Sequence, residues 1–245
     1  MPSVLICILV GFIAQLIDGA LGMAYGVSCT TFLMTFGLAP AVASASVKTS
    51  EVFTTAVSGL SHLRLGNVDR QLFLKLCLPG VIGGVLGAYV LTHLPGERIK
   101  PFVAGYLLFM GIVIIAKGWK PFLKVEAPRD KPVALAFIGG LLDAMGGGGW
   151  GPIVTTTLIA RGREPRTAIG SVHLAEFFVT FAQMVTFVAF LGLKNLEVVV
   201  GLVLGGIIAA PLAAYVCRRL PPRLLMNLVG VMIILLSLRI LLSAL

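Results

Sequence analysis

Six ionisable residues stand in stretches that are otherwise strongly apolar: Asp18, Lys48, Glu51, Asp143, His173 and Glu176. A charge inside a bilayer costs about 2.5–3.5 kcal/mol on insertion scales, so each such residue needs a partner or a task. Lys48 and Glu51 are three apart, as are His173 and Glu176, which puts each pair on one helix face. One chemistry is self-neutralisation, with two intrahelical pairs that lock helices together. Another is solute binding, with Lys48 supplying positive charge to an anion while His173 binds it or carries a proton. The four acids would equally suit a cation. Asp18 and Asp143, each directly before a glycine-containing segment, are expected to cap a turn, with gating or proton coupling as the functional use of all four acids.

Around these residues the chain is broken by glycine. Asp18 opens DGALGMAYG (18–26) and Asp143 opens DAMGGGGWGP (143–152). Backbone that leaves helical geometry in a bilayer must be buried in protein or line a wet cavity, because lipid offers it no hydrogen bonds. Gly151-Pro152 has the form of a helix start, where the missing proline N–H costs little. A helix beginning there, and another near Gly26, would aim two positive ends at mid-membrane, a setting that suits an anion. Close packing of helices is the plainer use of such glycines. Ser28, Thr30, Thr31, Ser46, Thr49, Thr155, Thr156 and Ser171 could donate to oxyanion oxygens, and back-bonding within their own helices is expected for about half of them. Tyr25 and Trp150 carry phenol and indole donors at the breaks, suited to binding, gating or packing.

Composition says what kind of molecule holds these residues. The chain has 245 residues, 58% hydrophobic and 12% charged, with a mean hydropathy of +1.03. A soluble domain carries roughly a quarter charged residues, so a soluble enzyme is excluded, as are a disordered chain and a disulfide-stapled one. At about 20 residues per span the length allows about eight crossings with short loops. The net charge of +9 is spread over the ends of apolar segments rather than in basic runs, which fits topology signals and headgroups and not nucleic acid. Cys7, Cys29, Cys77 and Cys217 lack CxxC spacing and are expected to be small packing residues. The segment MPSVLICILVGF has no basic start, so no cleaved signal peptide is expected.

The chain is an internal duplication. A shift of 125 aligns Asp18 with Asp143, Gly22 with Gly147, Gly26 with Gly151, Ser46 with Ser171, Lys48 with His173 and Glu51 with Glu176. It gives 15 identities in 40 positions, where chance gives about a tenth. The expected organisation is a first repeat 1–117, a cytoplasmic linker 118–131 and a second repeat 132–245. Full spans are expected near 46–63, 70–92, 98–117, 168–192, 195–217 and 222–244. Segments 3–36 and 133–160 are each expected to be a re-entrant or broken hairpin. The second has 28 residues, too long for one simple span and too short for two. If it enters and leaves on one face, basic residues divide 14 against 3, whereas a single crossing divides them 9 against 8. The positive-inside rule favours the hairpin. Carried to both halves, this gives an all-α membrane protein of two inverted repeats, each a hairpin plus three transmembrane helices, with both termini outside. Inverted repeats with broken helices meeting near the midplane form alternating-access transporters.

No HExxH, GxSxG or CxxC motif and no carboxylate-rich metal cluster supports catalysis, so no enzyme, cofactor or resident metal is expected. The paired patterns IDGALGMAYG…PxxxSxSVKxSE and LDAMGGGGWGP…PxxxxGSVHxxE resemble the TauE/SafE sulfite exporter family of membrane permeases. The resemblance covers essentially the whole chain. It implies transport of small sulfur-containing anions, such as sulfite or sulfonates, across a bacterial cytoplasmic membrane, with export suggested by the family name. Candidate substrate contacts are Gly22, Tyr25, Gly26, Ser46, Lys48, Gly147, Gly148, Trp150, Gly151, Ser171 and His173. Candidate gating or coupling residues are Asp18, Glu51, Asp143 and Glu176. Proton or sodium coupling and a homodimer stay open, as does a cation or metal-ion transporter built on the carboxylates.

Overall fold

The structure, a computed structural model, describes residues 2–21, 23–119, 131–161, 163–193, 195–219 and 222–242. Gly22 and positions 120–130, which hold most of the expected linker, lie outside the described residues. The fold is 88% helical, with no strand among the described residues. Its helices are α1 (Val4–Leu21), α2 (Tyr25–Thr35), α3 (Pro40–Arg64), α4 (Arg70–His93), α5 (Gly96–Trp119), α6 (Pro132–Gly146), α7 (Thr156–Ala160), α8 (Pro165–Leu191), α9 (Leu196–Arg219) and α10 (Pro222–Leu242). A π-helical turn, Gly151–Thr155, leads into α7.

Local chemistry sets the starts. α3, α6, α8 and α10 begin at prolines, whose fixed φ suits the first helical position. α4 is capped by Asp69, whose carboxylate accepts from the N–H groups of Gln71 and Leu72 at 2.9 and 3.1 Å. Both glycine-containing segments break the helix. In the first, Ala24 takes a left-handed φ of 100°, and in the second Gly147 does so at 67°. The arms on either side are unequal, with 18 and 11 residues in the first half. At 1.5 Å per residue these are about 27 and 16 Å long.

The helices sort into a membrane pattern. α4, α5 and the Thr167–Leu191 part of α8 are long and apolar enough to cross a bilayer. Val4–Asp18, Pro132–Gly146, Leu196–Ala210 and Met226–Leu242 are apolar but shorter. α3 has the length, 25 residues, yet it carries Lys48, Glu51 and eight hydroxyl side chains, and these lower its hydropathy. It also starts six residues before the expected span, because Pro40 nucleates it. Burial is inverted relative to a soluble protein. Leu5, Phe102 and Leu242 are more than 70% exposed, while Lys48, Glu51, Asp143, His173, Glu176, Gln15 and Gln183 are buried. An apolar exterior around a polar interior is the arrangement that lipid requires.

The two halves interlace. α1 lies along α9 of the other half, and α6 lies along α4, its repeat-equivalent arrangement. α3 packs on α8 and α5 on α10, each pair made of equivalent helices. The breaks meet backbone to backbone at the centre. A Cβ on Gly148 would collide with the backbone of Gly26 and Val27, and one on Gly26 would collide with that of Gly147 and Gly148. Thr30 Oγ1 donates to Gly147 O at 3.2 Å across the same junction, and Ser44 Oγ donates to Ala144 O at 2.6 Å. Only glycine allows this approach.

Gly148→Ala should therefore force the breaks apart and cost roughly 1–3 kcal/mol, the usual price of overpacking. Gly105→Ala on α5, where an added Cβ meets nothing within 4 Å, should instead be neutral or stabilising. Thermal melts of the two variants in one detergent test this. Equal melting temperatures would show that the junction is not tight.

Candidate functional site

The same aspartate anchors both breaks. Asp18 Oδ1 accepts from the N–H of Tyr25 at 3.3 Å, and Asp143 Oδ1 accepts from the N–H of Trp150 at 3.1 Å. Each carboxylate reaches seven residues forward to the first turn of the second arm, where helix geometry leaves N–H groups without partners. The negative charge also faces the positive end of that helix. In α2 the N–H groups of Gly26 and Val27 remain without intrahelical acceptors. In the π-turn, Trp150 is held by Asp143 and Pro152 has no N–H, which leaves that of Gly151. Lys117 Nζ donates to Pro152 O at 2.8 Å and steadies the carbonyl side of that turn.

Between the breaks is a narrow cavity of about 10 Å³, room for roughly one water molecule. It is lined by Asp18, Glu51, Asp143 and Glu176, by Met23, Ala24, Tyr25, Gly26 and Val27 of the first break, and by Gly148, Gly149, Gly151 and Pro152 of the second. Two repeat-equivalent carboxylates come from each half. No group of three or more His, Cys, Asp or Glu side chains among the described residues is placed to hold a metal ion.

Lys48 does not line this cavity. Fully buried, its Nζ lies 2.5 Å from Glu51 Oε2 and 2.7 Å from Asp143 Oδ2, so one ammonium joins a carboxylate of each half. Asp143 Oδ2 also accepts from Gln183 Nε2 at 3.0 Å. His173 holds the equivalent place in the second half. Its Nδ1 stands 3.3 Å from Glu176 Oε2 without the alignment of a hydrogen bond, and its ring stacks on that of His62 at 5.5 Å between centroids.

The other sequence candidates divide. Tyr25, Gly26, Gly148 and Gly151 line the cavity with the four acids. The Tyr25 hydroxyl donates within the protein, to Ser50 Oγ at 3.2 Å and Leu202 O at 3.3 Å. Trp150 is fully buried, and its indole N–H donates to Val172 O at 3.3 Å. Gly147 meets Thr30. Ser46 back-bonds to Val42 O at 2.9 Å and faces a separate, mostly apolar pocket between α3 and the end of α8. Ser171 donates to Thr167 O and accepts from the N–H of Asp69, which ties α8 to the start of α4. Gly22 lies outside the described residues.

Several contributors carried little or no sequence signal. Gln183 follows Glu176 by seven residues, so it lies on the same helix face and was legible there. Tyr106, whose hydroxyl donates to Gly148 O at 3.0 Å, and His62, at the end of α3, depend on tertiary contacts alone.

Comparison with known proteins points to a family of membrane transporters. A family model described as "Sulfite exporter TauE/SafE" matches residues 7–240. The "Probable membrane transporter protein YtnM" of Bacillus subtilis (strain 168) is 43% identical over 252 residues, covering 99% of this chain and 84% of that protein. The "Sulfite exporter TauE/SafE family protein 6" of Arabidopsis thaliana is 25% identical over 109 residues, 43% of this chain and 26% of that protein. No solved structure matches significantly. With its family pattern spanning nearly the whole length and its polar residues gathered inside an apolar helical shell, the chain belongs to the TauE/SafE sulfite exporter family of membrane transporters.

Proposed function

We propose that this protein is a secondary transporter that moves small sulfur-containing anions, sulfite or sulfonates, across a bacterial cytoplasmic membrane by alternating access, in the direction of export. The cavity between the two breaks is the solute site. The observation that carries this reading is the meeting there of two interrupted helices, one from each half, whose first turns line the cavity with Gly26, Val27 and Gly151. The reciprocal packing of the halves supports a pseudo-two-fold relation between them. The basic-residue bias supports inverted repeats with re-entrant first segments, a cytoplasmic linker and outside termini.

The four carboxylates constrain the mechanism. With all four ionised and both Lys48 and His173 charged, the site still holds net negative charge, which repels an anion. The anion therefore travels with compensating positive charge, either protons on the carboxylates or a bound cation. The same lining favours a second reading, transport of a cation by Asp18, Glu51, Asp143 and Glu176.

Counterflow of labelled sulfite into proteoliposomes separates the two. Saturable uptake that an unlabelled sulfonate blocks and chloride does not is the expected result. Saturable uptake of a monovalent cation, with none of sulfite, would move the assignment to the second reading.

Lys48 supports this site from behind. Lys48→Met leaves Glu51 and Asp143 buried without their shared cation, and breaking a buried pair in this way costs about 3–5 kcal/mol. The expected outcome is a large loss of folded protein, partly recovered when Asp143→Asn is added. A Lys48→Met protein that folds normally but loses sulfite affinity would instead place the ammonium at the solute.

A further inference from the structure

The two halves bring equivalent charges to the cavity with one difference. In one cluster Lys48 joins Glu51 of its own helix to Asp143 of the other half. In the other, His173 faces Glu176 of its own helix, and Asp18 of the opposite half lines the same cavity as Glu176. The duplication thus places a lysine at one centre and a histidine at the other. A lysine between two carboxylates keeps its proton. An imidazole is the side chain that exchanges one near neutral pH.

We propose that the cluster of His173, Glu176 and Asp18 carries the proton that compensates the transported anion, that His62 is its route from one membrane face, and that the Lys48 cluster keeps its charge throughout the cycle. This rests on the reading of the cavity as a transport site and names its coupling ion.

Geometry makes the route. His62 is in the last turn of α3, partly exposed, with Asn67 Nδ2 3.4 Å from its Nδ1. Its ring lies parallel to that of His173, within 7°. His173 is 4% exposed, and its Nδ1 has no hydrogen-bond partner, so it is a buried polar atom aimed at Glu176 with its bond unmade. Glu176 in turn lines the cavity. A proton taken up at His62 passes to His173 by way of a bridging water, since stacked rings do not aim an N–H at each other, and is shared with Glu176, one positive charge entering for each negative charge on the solute. Two stacked imidazoles hold two charges poorly, because like charges at this distance disfavour each other. The relay therefore passes its proton on rather than storing one on each ring.

The charged neighbours fit a single titrating centre. α8 contributes Glu176, α3 the stacked His62, and α1 Asp18, which shares the cavity lining with Glu176. Glu51 of α3 and Asp143 of α6 line the same cavity as Glu176 but are tied to Lys48. The nearest acid from α4, Asp69, sits at that helix's N-terminus and is paired with Arg163 at 3.7 Å.

Two measurements test the proposal. The chain has three histidines, so imidazole NMR of labelled protein in nanodiscs resolves them. His173 is expected to change protonation state across the pH range in which transport is measured, with its midpoint displaced in Glu176→Gln. A His173 that keeps one protonation state across that range overturns the proposal. In proteoliposomes, a labelled two-carbon sulfonate keeps its charge at all these pH values and serves as the probe. His62→Phe should leave sulfonate counterflow unchanged, since exchange moves no net proton, while uptake driven by a pH gradient falls about a hundredfold, the low end for loss of a proton-transfer group. His173→Lys should abolish the gradient dependence. Wild-type gradient-driven uptake in both variants overturns the proposal, and His62→Asn replaces His62→Phe if the latter fails to fold. Absence of sulfonate counterflow in the wild type would defeat the anion reading alone, and the NMR titration would still decide whether the histidine cluster binds a proton.

Discussion

Backbone that leaves the helix at membrane depth has to find its hydrogen bonds inside the protein, and the rest of this structure follows from that constraint. Each half breaks a helix once, and in each an aspartate seven residues before the new helix accepts from its first N–H. An ionised carboxylate brought to the interior then needs a counter-charge. Asp143 finds it in Lys48 of the other half, so satisfying one break joins the two repeats. Interlacing of α1 with α9 and of α6 with α4 surrounds these polar groups with helices, and the exposed helix faces among the described residues are largely apolar.

Once the breaks are buried they define the site. Gly26 and Gly148 bring the two chain reversals into contact, and the space left beside them is lined by the four acids. Positive helix ends and negative side chains thus meet in one cavity. The repeat sets Lys48 behind one pair of these acids and His173 beside another of them.

Much of this was legible in one dimension. The duplication, the two breaks, the apolar helices and the pairing of Lys48 with Glu51 and His173 with Glu176 are short-range patterns, and helical spacing translates them directly into faces. The expected helix limits differ mainly where a proline starts a helix earlier than hydropathy suggests, as at Pro40. Ser46 and Ser171 align as well as the acids do, yet Ser46 turns back on its own helix and Ser171 braces the start of α4. Repeat equivalence shows that two positions share an environment, and that environment need not be the cavity.

What the sequence by itself determined is therefore the class of molecule and its internal symmetry: an apolar, duplicated, helical chain whose few charges must be buried and paired. Those properties follow from composition and spacing, because desolvation is costly wherever in a bilayer a charge stands. Tertiary structure alone decided which charges pair. Lys48 reaches an aspartate 95 positions away, and His62 stacks on a histidine 111 positions away. No local pattern encodes such contacts, since they depend on how helices of the two halves cross. The consequence is large, because it makes Lys48 part of the frame and leaves the carboxylates to line the cavity.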